Sequence, residues 1–359
     1  MKFDLSEDQR EFASAVDDLM EKKFPLSTLR SVVDGEVDGP GVAEGLHVAL
    51  AAMGVFGLVV PEEHGGFGLE LLDVAVVAER LGRAAAPGVF LGPVLAAYAL
   101  QLGGCPRQQA HWLPPLAAGT LGVAFAVCED GRWDAARSGL GGGPLRGRKD
   151  WVLDEGGPLD LLIVATSEGL SVVDCAAAGV RRTPLNGIDL TRKLASVTFD
   201  DVVHEPLTGG TELARRVGHA ARILLAADAY GGASRCVELA VDYAKTREQF
   251  GVPIGSFQAV KHQLADMDLA VEPAQGLYWY AAHAFDHVPA DVARFAPLAK
   301  AHLTERYVEV ARRLVEVYGG FGFTWECDAH IFLKRALLDR AQFGTPRELR
   351  AEIATNTAW

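Results

Sequence analysis

The chain has 359 residues, of which 49% are hydrophobic and 23% are charged, a composition typical of a globular protein with a sizeable core. Its formal net charge is -13. An acidic surface repels phosphate backbones and anionic lipid headgroups, so the charge argues against nucleic acid and against a membrane surface as partners.

The N-terminus predicts a helix rather than a signal peptide. Residues 1–5 contain no basic stretch followed by an apolar run. Ser6 and Gln9 fit a capping box, and apolar residues then recur at helical spacing. Further helical patterns cover residues 41–53, 71–82, 93–102 and 108–116. The first third of the chain is therefore predicted to be helical.

Short apolar runs between turn residues begin near Leu121. Stretches rich in Gly and Pro separate them, notably residues 141–144 and 156–158. The apolar runs are residues 123–127, 161–165, 170–173 and 197–199. Short strands at close spacing are typical of a small β-barrel or sandwich, which would run from about residue 119 to about residue 207.

Long helical patterns return after residues 209–210. Segment 211–246 is hydrophobic on most faces, which predicts a helix at the centre of a bundle. Two more long helices are predicted at residues 258–283 and 291–318, and shorter ones at 332–338 and 346–353. This third region therefore has the pattern of a helical bundle.

The order of these regions predicts an α+β multidomain protein. The predicted domains are an N-terminal all-α domain at 1–118, a middle β-domain at 119–207 and a C-terminal α-helical bundle at 208–359. The longest apolar stretch, residues 220–246, is interrupted by charged side chains, so no membrane span is predicted.

The cysteines predict reduced, buried thiols. Five are present, an odd number, and they are widely spaced, with no CxxC pair and no Cys/His set at zinc spacing. They are Cys105, Cys128, Cys175, Cys236 and Cys327. Without a signal peptide, this usage predicts a cytoplasmic protein.

Six segments spread over nearly the whole chain resemble the acyl-CoA dehydrogenase family. The most specific begins at residues 243–251, Tyr-Ala-Lys-Thr-Arg-Glu-Gln-Phe-Gly, and continues to residue 267. The others are residues 6–12, 53–66, 147–152, 318–322 and 343–345. An ordered set of motifs is far more specific than any one of them.

This resemblance implies the family fold, with an N-terminal helical domain, a middle β-domain and a C-terminal four-helix bundle. It also implies a tetramer in which FAD lies across a subunit interface, an acyl-CoA substrate and an electron-transfer flavoprotein as acceptor. The family reaction introduces a 2,3-double bond. It needs a carboxylate base for the α-proton and a flavin to accept the β-hydride.

Five residues match the family positions that contact the FAD of the neighbouring subunit: Arg247, Phe250, Gln258, Gly319 and Gly320. An arginine offers a rigid fork of donors to a pyrophosphate, and glycines let backbone N–H groups approach a ligand. Alternatively, Arg247 is only a solvated residue at a helix end, but the surrounding matches favour cofactor contact. Glu316 stands where the family usually has Gln.

The side expected to face the isoalloxazine ring departs from the family. Residues 127–132, Val-Cys-Glu-Asp-Gly-Arg, replace a Thr-Glu-Pro-Gly stretch. The family's Trp followed two residues later by Thr or Ser is here Trp151 and Leu153, and Leu153 has no hydroxyl to donate to a flavin. These departures predict that the chain does not cradle its own flavin ring well.

Neither family position for the catalytic Glu carries a carboxylate. Phe343 occupies one, and Ala221 occupies the other, directly before Arg222. Asp228 and Glu348 are nearby but match neither position, and we interpret them as helix-face charges. Arg222 matches the arginine that supports the substrate pocket. It either binds the acyl-CoA or pairs with a carboxylate inside the bundle, and no catalytic residue is assigned.

Four histidines, at positions 64, 204, 262 and 283, are each isolated from a nucleophile or acid partner, so we interpret them as surface or core residues. The sequence contains no Gly-x-Ser-x-Gly elbow, Walker loop or zinc motif.

These patterns predict a chain that supplies the trans half of an FAD site to a partner subunit, which carries the flavin cradle and the Glu. The family includes such α2β2 enzymes, best known from steroid side-chain breakdown, and their degenerate subunits resemble this chain. Two alternatives stay open. One is a self-sufficient flavin-dependent oxidase or monooxygenase on the same fold, and the other is a non-catalytic scaffold subunit.

Overall fold

The computed structural model describes residues 3–134, 138–154 and 157–356, and within them helices are followed by strands and then by helices again, as predicted. Six α-helices precede the first strand of this described part. They are α1 (Glu7–Lys23), α2 (Leu26–Val33), α3 (Gly39–Ala52), α4 (Leu71–Arg83), α5 (Leu91–Gly103) and α6 (Pro106–Ala117).

Helix α1 begins at the predicted capping box. The Ser6 side chain accepts a hydrogen bond from the Gln9 backbone N–H at 3.1 Å, and the Gln9 side chain accepts one from the Ser6 N–H at 2.9 Å. Glu7 and Asp8 lie in the first turn, where the helix dipole favours negative charge. The local sequence therefore determines where this helix starts.

The strands form two main sheets, in the orders β1-β3-β4-β7 and β2-β6-β5. Strands β1 and β3 pair in parallel, whereas the other pairs in these sheets are antiparallel. The strands are β1 (Val123–Ala126), β2 (Leu145–Leu153), β3 (Leu161–Thr166), β4 (Gly169–Asp174), β5 (Val180–Leu185), β6 (Leu194–Val202) and β7 (Glu205–Pro206). No apolar run predicted β5, because none of its side chains is fully buried.

The remaining elements are helical apart from one short hairpin. They are α7 (Gly210–Thr246), β8 (Glu248–Gln249), β9 (Val252–Pro253), α8 (Gln258–Val271), α9 (Gln275–His287), α10 (Pro289–Val317), α11 (Ala329–Ala341) and α12 (Pro346–Asn356). The single helix predicted at 258–283 is wrong: a 3-10 turn at Glu272–Ala274 interrupts it. Pro273 has no backbone N–H, so it cannot continue the helical hydrogen bonds.

The chain divides into two compact units. One comprises residues 1–30, 75–86 and 222–359, and the other comprises residues 31–74 and 87–221. In the second unit, both main sheets contribute to one hydrophobic core, as in a β-sandwich. Its buried residues are Ala124, Ala126, Leu140, Leu145, Val152, Leu162, Val164, Val173, Val197, Phe199 and Val202.

In the first unit, α10 contacts α8, α9, α11 and α12. Helices α4 and α7 cross with their backbones in contact. A Cβ atom at Gly82 would lie 2.1 Å from the Asp228 carbonyl oxygen, and one at Gly231 would lie 1.9 Å from the Glu79 carbonyl oxygen. Only glycine allows this approach. Throughout the described ranges, no helix has both the length and the apolar character of a membrane span.

A candidate dinucleotide site

A tight hairpin follows the end of α7. Strand β8 pairs with β9 and leaves Phe250 and Gly251 as a two-residue turn. Their φ angles are 53° and 80°, the pattern of a type I′ turn. A bulky residue is uncommon at such a φ, yet the Phe250 side chain is 93% exposed. The turn therefore holds a large apolar side chain in solvent, which is typical of a binding surface.

A cavity of about 650 Å³ is lined by the end of α7, by this hairpin, by the end of α10 and by the 3-10 helix Gly319–Phe323 that follows it. Its volume is within the range of small-molecule sites. Three predicted cofactor residues line it: Arg247, Gly319 and Gly320. The other lining residues are mostly aromatic or aliphatic, namely Tyr243, Gln249, Ile254, Val317, Tyr318 and Phe321. The fold thus brings together residues that are distant in sequence.

The polar part of the cavity consists of a cation and two glycines. Arg247 is exposed, and among the described residues its guanidinium has no hydrogen-bond or ion-pair partner. Gly319 has a φ of 64°, which favours glycine, whereas a Cβ atom at Gly320 would meet nothing within 4 Å. Packing within the chain therefore does not require Gly320. A guanidinium fork beside uncovered backbone fits a pyrophosphate.

The aromatic part of the cavity is a pair of stacked tyrosines. The rings of Tyr243 and Tyr318 lie 4.1 Å apart between centroids, with 18° between their planes. Burial raises the pKa of Tyr318 to about 12, so its hydroxyl stays neutral at ordinary pH. Sequence analysis assigned no role to either ring, although one lies four residues before Arg247 and the other directly before Gly319. Stacked rings of this kind can accept a planar base.

Two of the five predicted cofactor residues do not line the cavity. The exposed Phe250 ring instead lies edge-on to Phe257, with ring centroids 6.1 Å apart. Gln258 follows Phe257 and begins α8, with its side chain exposed. Glu316 does not line the cavity either, and its carboxylate accepts a long hydrogen bond of 3.4 Å from Gln263. A carboxylate is therefore absent from the described lining around Arg247.

The two positions expected for a catalytic base hold buried apolar side chains. Phe343 is 5% exposed and has a φ of 52°, and Ala221 is completely buried in α7. Neither side chain can accept a proton. The Phe343 position nevertheless keeps a left-handed backbone that a Phe seldom adopts.

The two carboxylates that sequence analysis weighed near these positions have structural roles. Glu348 accepts hydrogen bonds from the N–H and the hydroxyl of Thr345, at 2.7 and 2.8 Å, which cap α12 and lower the pKa of the Glu348 carboxyl. Asp228 pairs with Arg335 at 2.6 Å, and both side chains are buried. Asp228, interpreted from the sequence as a helix-face charge, lies on a buried face of α7, where α11 places a buried arginine against it.

Arg222 forms the ion pair that sequence analysis gave as one of its two possible roles. Its guanidinium donates to both oxygens of Glu352, at 2.8 and 2.9 Å. Its Nε donates to the Phe343 carbonyl at 3.2 Å. Contact with an acyl-CoA stays a prediction for this residue.

A buried lysine near Phe343 was not identified from the sequence. Lys300 is completely buried, and its Nζ donates to the carbonyls of Arg340 at 3.0 Å and Gly344 at 2.5 Å. Burial lowers the pKa of Lys300 to about 7. No sequence signal distinguishes this lysine, because its burial arises from the packing of α10. Arg222 and Lys300 together hold the segment between α11 and α12.

The segment expected to face a flavin ring is occupied by internal contacts. The buried Nζ of Lys149 donates to Glu129 at 2.7 Å and to Ser138 at 2.8 Å. Burial is the largest influence on Glu129 and opposes its ionisation, but the charge and hydrogen bond of Lys149 and the bonds from Gly139 and Ser138 together lower the Glu129 pKa. Trp151 is 40% exposed with a φ of 57°, and Leu153 presents no hydroxyl. That the chain does not cradle its own flavin ring well stays a prediction.

The histidines and cysteines show no site of their own. Three of the four histidines have local contacts: His64 with Glu63, His204 with the Gly143 carbonyl, and His283 with the His287 ring. All five cysteines are free thiols. Within the part of the chain that the structure describes, no group of three or more side chains could hold a metal ion.

Comparisons with known proteins find matches along most of the chain. The model of the acyl-CoA dehydrogenase N-terminal domain matches residues 6–120, and that of the C-terminal domain matches residues 208–357. Acyl-CoA dehydrogenase IpdE2 of Mycobacterium tuberculosis is 36% identical over 83% of this chain and 81% of its own length. IpdE2 of Mycolicibacterium smegmatis is 32% identical over 97% of this chain and all of its own length.

Solved structures share the architecture. The Tcur3481-Tcur3483 steroid ACAD superposes with a TM-score of 0.87 at 28% identity, and the match covers 97% of each chain. The glutaryl-coenzyme A dehydrogenase complex with glutaryl-CoA superposes with a TM-score of 0.88 at 25% identity, covering 99% of this chain and 96% of that one.

Proposed function

Because this chain belongs to the acyl-CoA dehydrogenase family, we propose that it is one subunit of an FAD-dependent enzyme that desaturates an acyl-CoA. The resemblance predicted from its motifs is confirmed by the family models and by IpdE2. In this proposal, the chain contributes the trans half of an FAD site, and a partner subunit contributes the flavin cradle and the catalytic Glu.

One contrast carries the proposal. Arg247, Gly319 and Gly320 line one open cavity, whereas the positions for the base are occupied by Phe343 and Ala221. Among the residues that the structure describes, the Arg247 guanidinium has no partner, so its donors are free for a ligand beside two exposed glycines. The contrast therefore favours a subunit that grips a cofactor without performing the proton abstraction.

The residues fit one half of FAD better than the other. The guanidinium of Arg247 would bind the pyrophosphate, and the Tyr243–Tyr318 stack would flank the adenine. The segment around Leu153 does not fit the ring half, since Glu129 and Lys149 are bonded to each other there. FAD, when bound, supplies the hydride acceptor of the reaction. No step of that reaction is assigned to a side chain of this subunit.

The relatives support a two-chain enzyme and a steroid-derived acyl group. The Tcur3481-Tcur3483 steroid ACAD is named as a pair of proteins and as a steroid enzyme. By analogy, we propose a heterotetramer acting on a steroid-derived acyl-CoA, with an electron-transfer flavoprotein as its electron acceptor. The size of the acyl group does not follow from the residues described above.

The test is the flavin content of the chain alone and of its complex. The chain would be purified alone and after co-expression with an acyl-CoA dehydrogenase subunit that carries a Glu at the base position. We expect the isolated chain to contain no flavin, and the complex to contain about one FAD molecule for every two chains. Arg247→Ala should lower the flavin content of the complex, whereas Arg312→Ala, which removes an exposed arginine outside the cavity, should not.

Three results would contradict the proposal. A yellow homo-oligomer that oxidises an acyl-CoA without a partner would show a complete enzyme. Stoichiometric flavin with oxygen-dependent turnover would instead favour a monooxygenase. An unchanged flavin content in the Arg247→Ala complex would favour a scaffold subunit, because the cavity would then be dispensable.

A further inference from the structure

The cavity around Arg247 is open in the single chain. Arg247, Gly319 and Gly320 are all exposed, and the neighbouring Phe250 is almost fully so. If the cavity serves the FAD of another subunit, it is uncovered whenever that subunit is absent. A site suited to half of a dinucleotide is then accessible to free nucleotides in solution.

We propose that the unassembled chain binds free ADP in this cavity, and that ADP thereby competes with assembly of the complex. This inference rests on the proposed function, because it takes the cavity to be the trans half of an FAD site. It adds a second ligand and a form of regulation to that site. Free ADP and the ADP half of a partner's FAD would exclude each other.

The charge of the lining selects an anion. In the described lining of the cavity, Arg247 carries a positive charge and no carboxylate accompanies it. This is unusual in a chain whose net charge is -13. Gly320 leaves open space where a side chain would stand, so a phosphate oxygen can approach the backbone closely. A diphosphate can accept two parallel bonds from the guanidinium fork.

The aromatic lining selects a planar base next to that anion. The Tyr243 and Tyr318 rings are already stacked, and Phe321 lies 6.1 Å from Tyr318 between centroids. Ile254 and Val317 complete the apolar wall. Stacking of a base on an aromatic side chain contributes about 1–3 kcal/mol, a 5- to 150-fold effect on affinity. The combination of stacked rings and one guanidinium fits ADP better than inorganic phosphate alone.

Competition follows from mass action. A ligand that binds only the free chain lowers the apparent affinity for the partner by the factor 1 + [L]/Kd. With ADP at ten times its Kd, assembly should weaken about 11-fold. The FAD-loaded partner would displace ADP only when the loaded partner is abundant. Assembly would therefore respond to the ratio of loaded partner to free adenine nucleotide.

The experiment is calorimetric titration of the isolated full chain with ADP, and with adenosine and inorganic pyrophosphate as half-ligands. We expect ADP to bind more tightly than either half. Arg247→Ala should weaken ADP at least about tenfold, as expected for the loss of a charged hydrogen bond. Tyr318→Leu should weaken adenosine more than pyrophosphate. Arg312→Ala is the matched control, and Gly320→Val is a second variant that fills the open space.

Absence of ADP binding at millimolar concentration would overturn the inference, as would equal binding by wild type and Arg247→Ala. ADP binding that leaves the partner affinity unchanged would overturn the competition. These failures are distinguishable from failure of the proposed function. If Arg247→Ala lowers the flavin content of the complex while ADP never binds the free chain, the trans FAD site stands and only the free-nucleotide site falls.

Discussion

Arg335 of α11 donates two hydrogen bonds to the carboxylate of Asp228 of α7, at 2.6 and 3.2 Å, and a third to the Ala86 carbonyl at 2.5 Å. Both charged side chains are buried. The pair joins three segments of the first compact unit where the backbones of α4 and α7 are in contact. Because water solvates neither buried group, each charge is stabilised by the opposite charge of its partner.

We expect Asp228→Ala to lower the free energy of unfolding by about 3–5 kcal/mol, because it leaves the Arg335 charge buried without its partner. Urea titration measures this change. The double variant Asp228→Leu/Arg335→Met should recover much of it, since apolar residues can replace a buried pair. The exposed pair of Asp18 and Lys22 is the control, and Asp18→Ala should cost less than about 1 kcal/mol. Equal losses at both sites would contradict the prediction.

Arg222→Gln removes the bonds to Glu352 and to the Phe343 carbonyl. We expect a loss of about 1–3 kcal/mol in the free energy of unfolding of the isolated chain. Glu352→Gln should cost less, because an amide oxygen can still accept from the guanidinium. If Arg222 also contacts substrate, the assembled Arg222→Gln enzyme should show a raised KM. A raised KM with unchanged stability would argue against the structural role.

Lys300 should make stability depend on pH. Burial lowers its pKa from the usual 10.5 to about 7. Between these values the unfolded chain binds a proton that the folded chain does not, so this group makes stability rise with pH, by up to about 1.4 kcal/mol per unit. Below pH 7 both states are protonated and the contribution is constant.

The measurement is urea unfolding of wild type and Lys300→Met at pH 7, 8 and 9. Methionine has a similar length and no charge, so the variant should lack this rise, and the difference in unfolding free energy should change steadily with pH. Parallel stability profiles would show that Lys300 does not titrate in this range.

The two glycines of the cavity should respond differently to substitution. Gly319→Ala places a side chain at a φ of 64° and should cost about 1–2 kcal/mol of stability. Gly320→Val meets only open space, so the stability of the isolated chain should change by less than about 0.5 kcal/mol. The Gly320→Val complex should nevertheless retain less flavin. Full flavin retention would show that no ligand occupies the space beside Gly320.

Local signals in the sequence predicted much of the fold. Ser6 and Gln9 lie three residues apart, so their capping box is encoded within one helical turn. The apolar runs of β1 and β3 were likewise visible, because both strands are largely buried. The sequence did not predict β5, since this strand has no such run. It did not predict the helix break at Pro273 either, because a helical pattern lies on both sides of that residue. The family motifs in the sequence indicated Arg247 and Gly320, but not the stack of Tyr243 on Tyr318 that lines the same cavity.

By itself, the sequence determined that positions 343 and 221 carry no carboxylate, because the identity of a side chain does not depend on folding. Only the tertiary structure decided what the nearby charges do. Arg222 and Glu352 are 130 residues apart, and Asp228 and Arg335 are 107 apart. Pairing and burial at such separations arise from how helices pack, and no local pattern encodes the distance between two side chains on different helices.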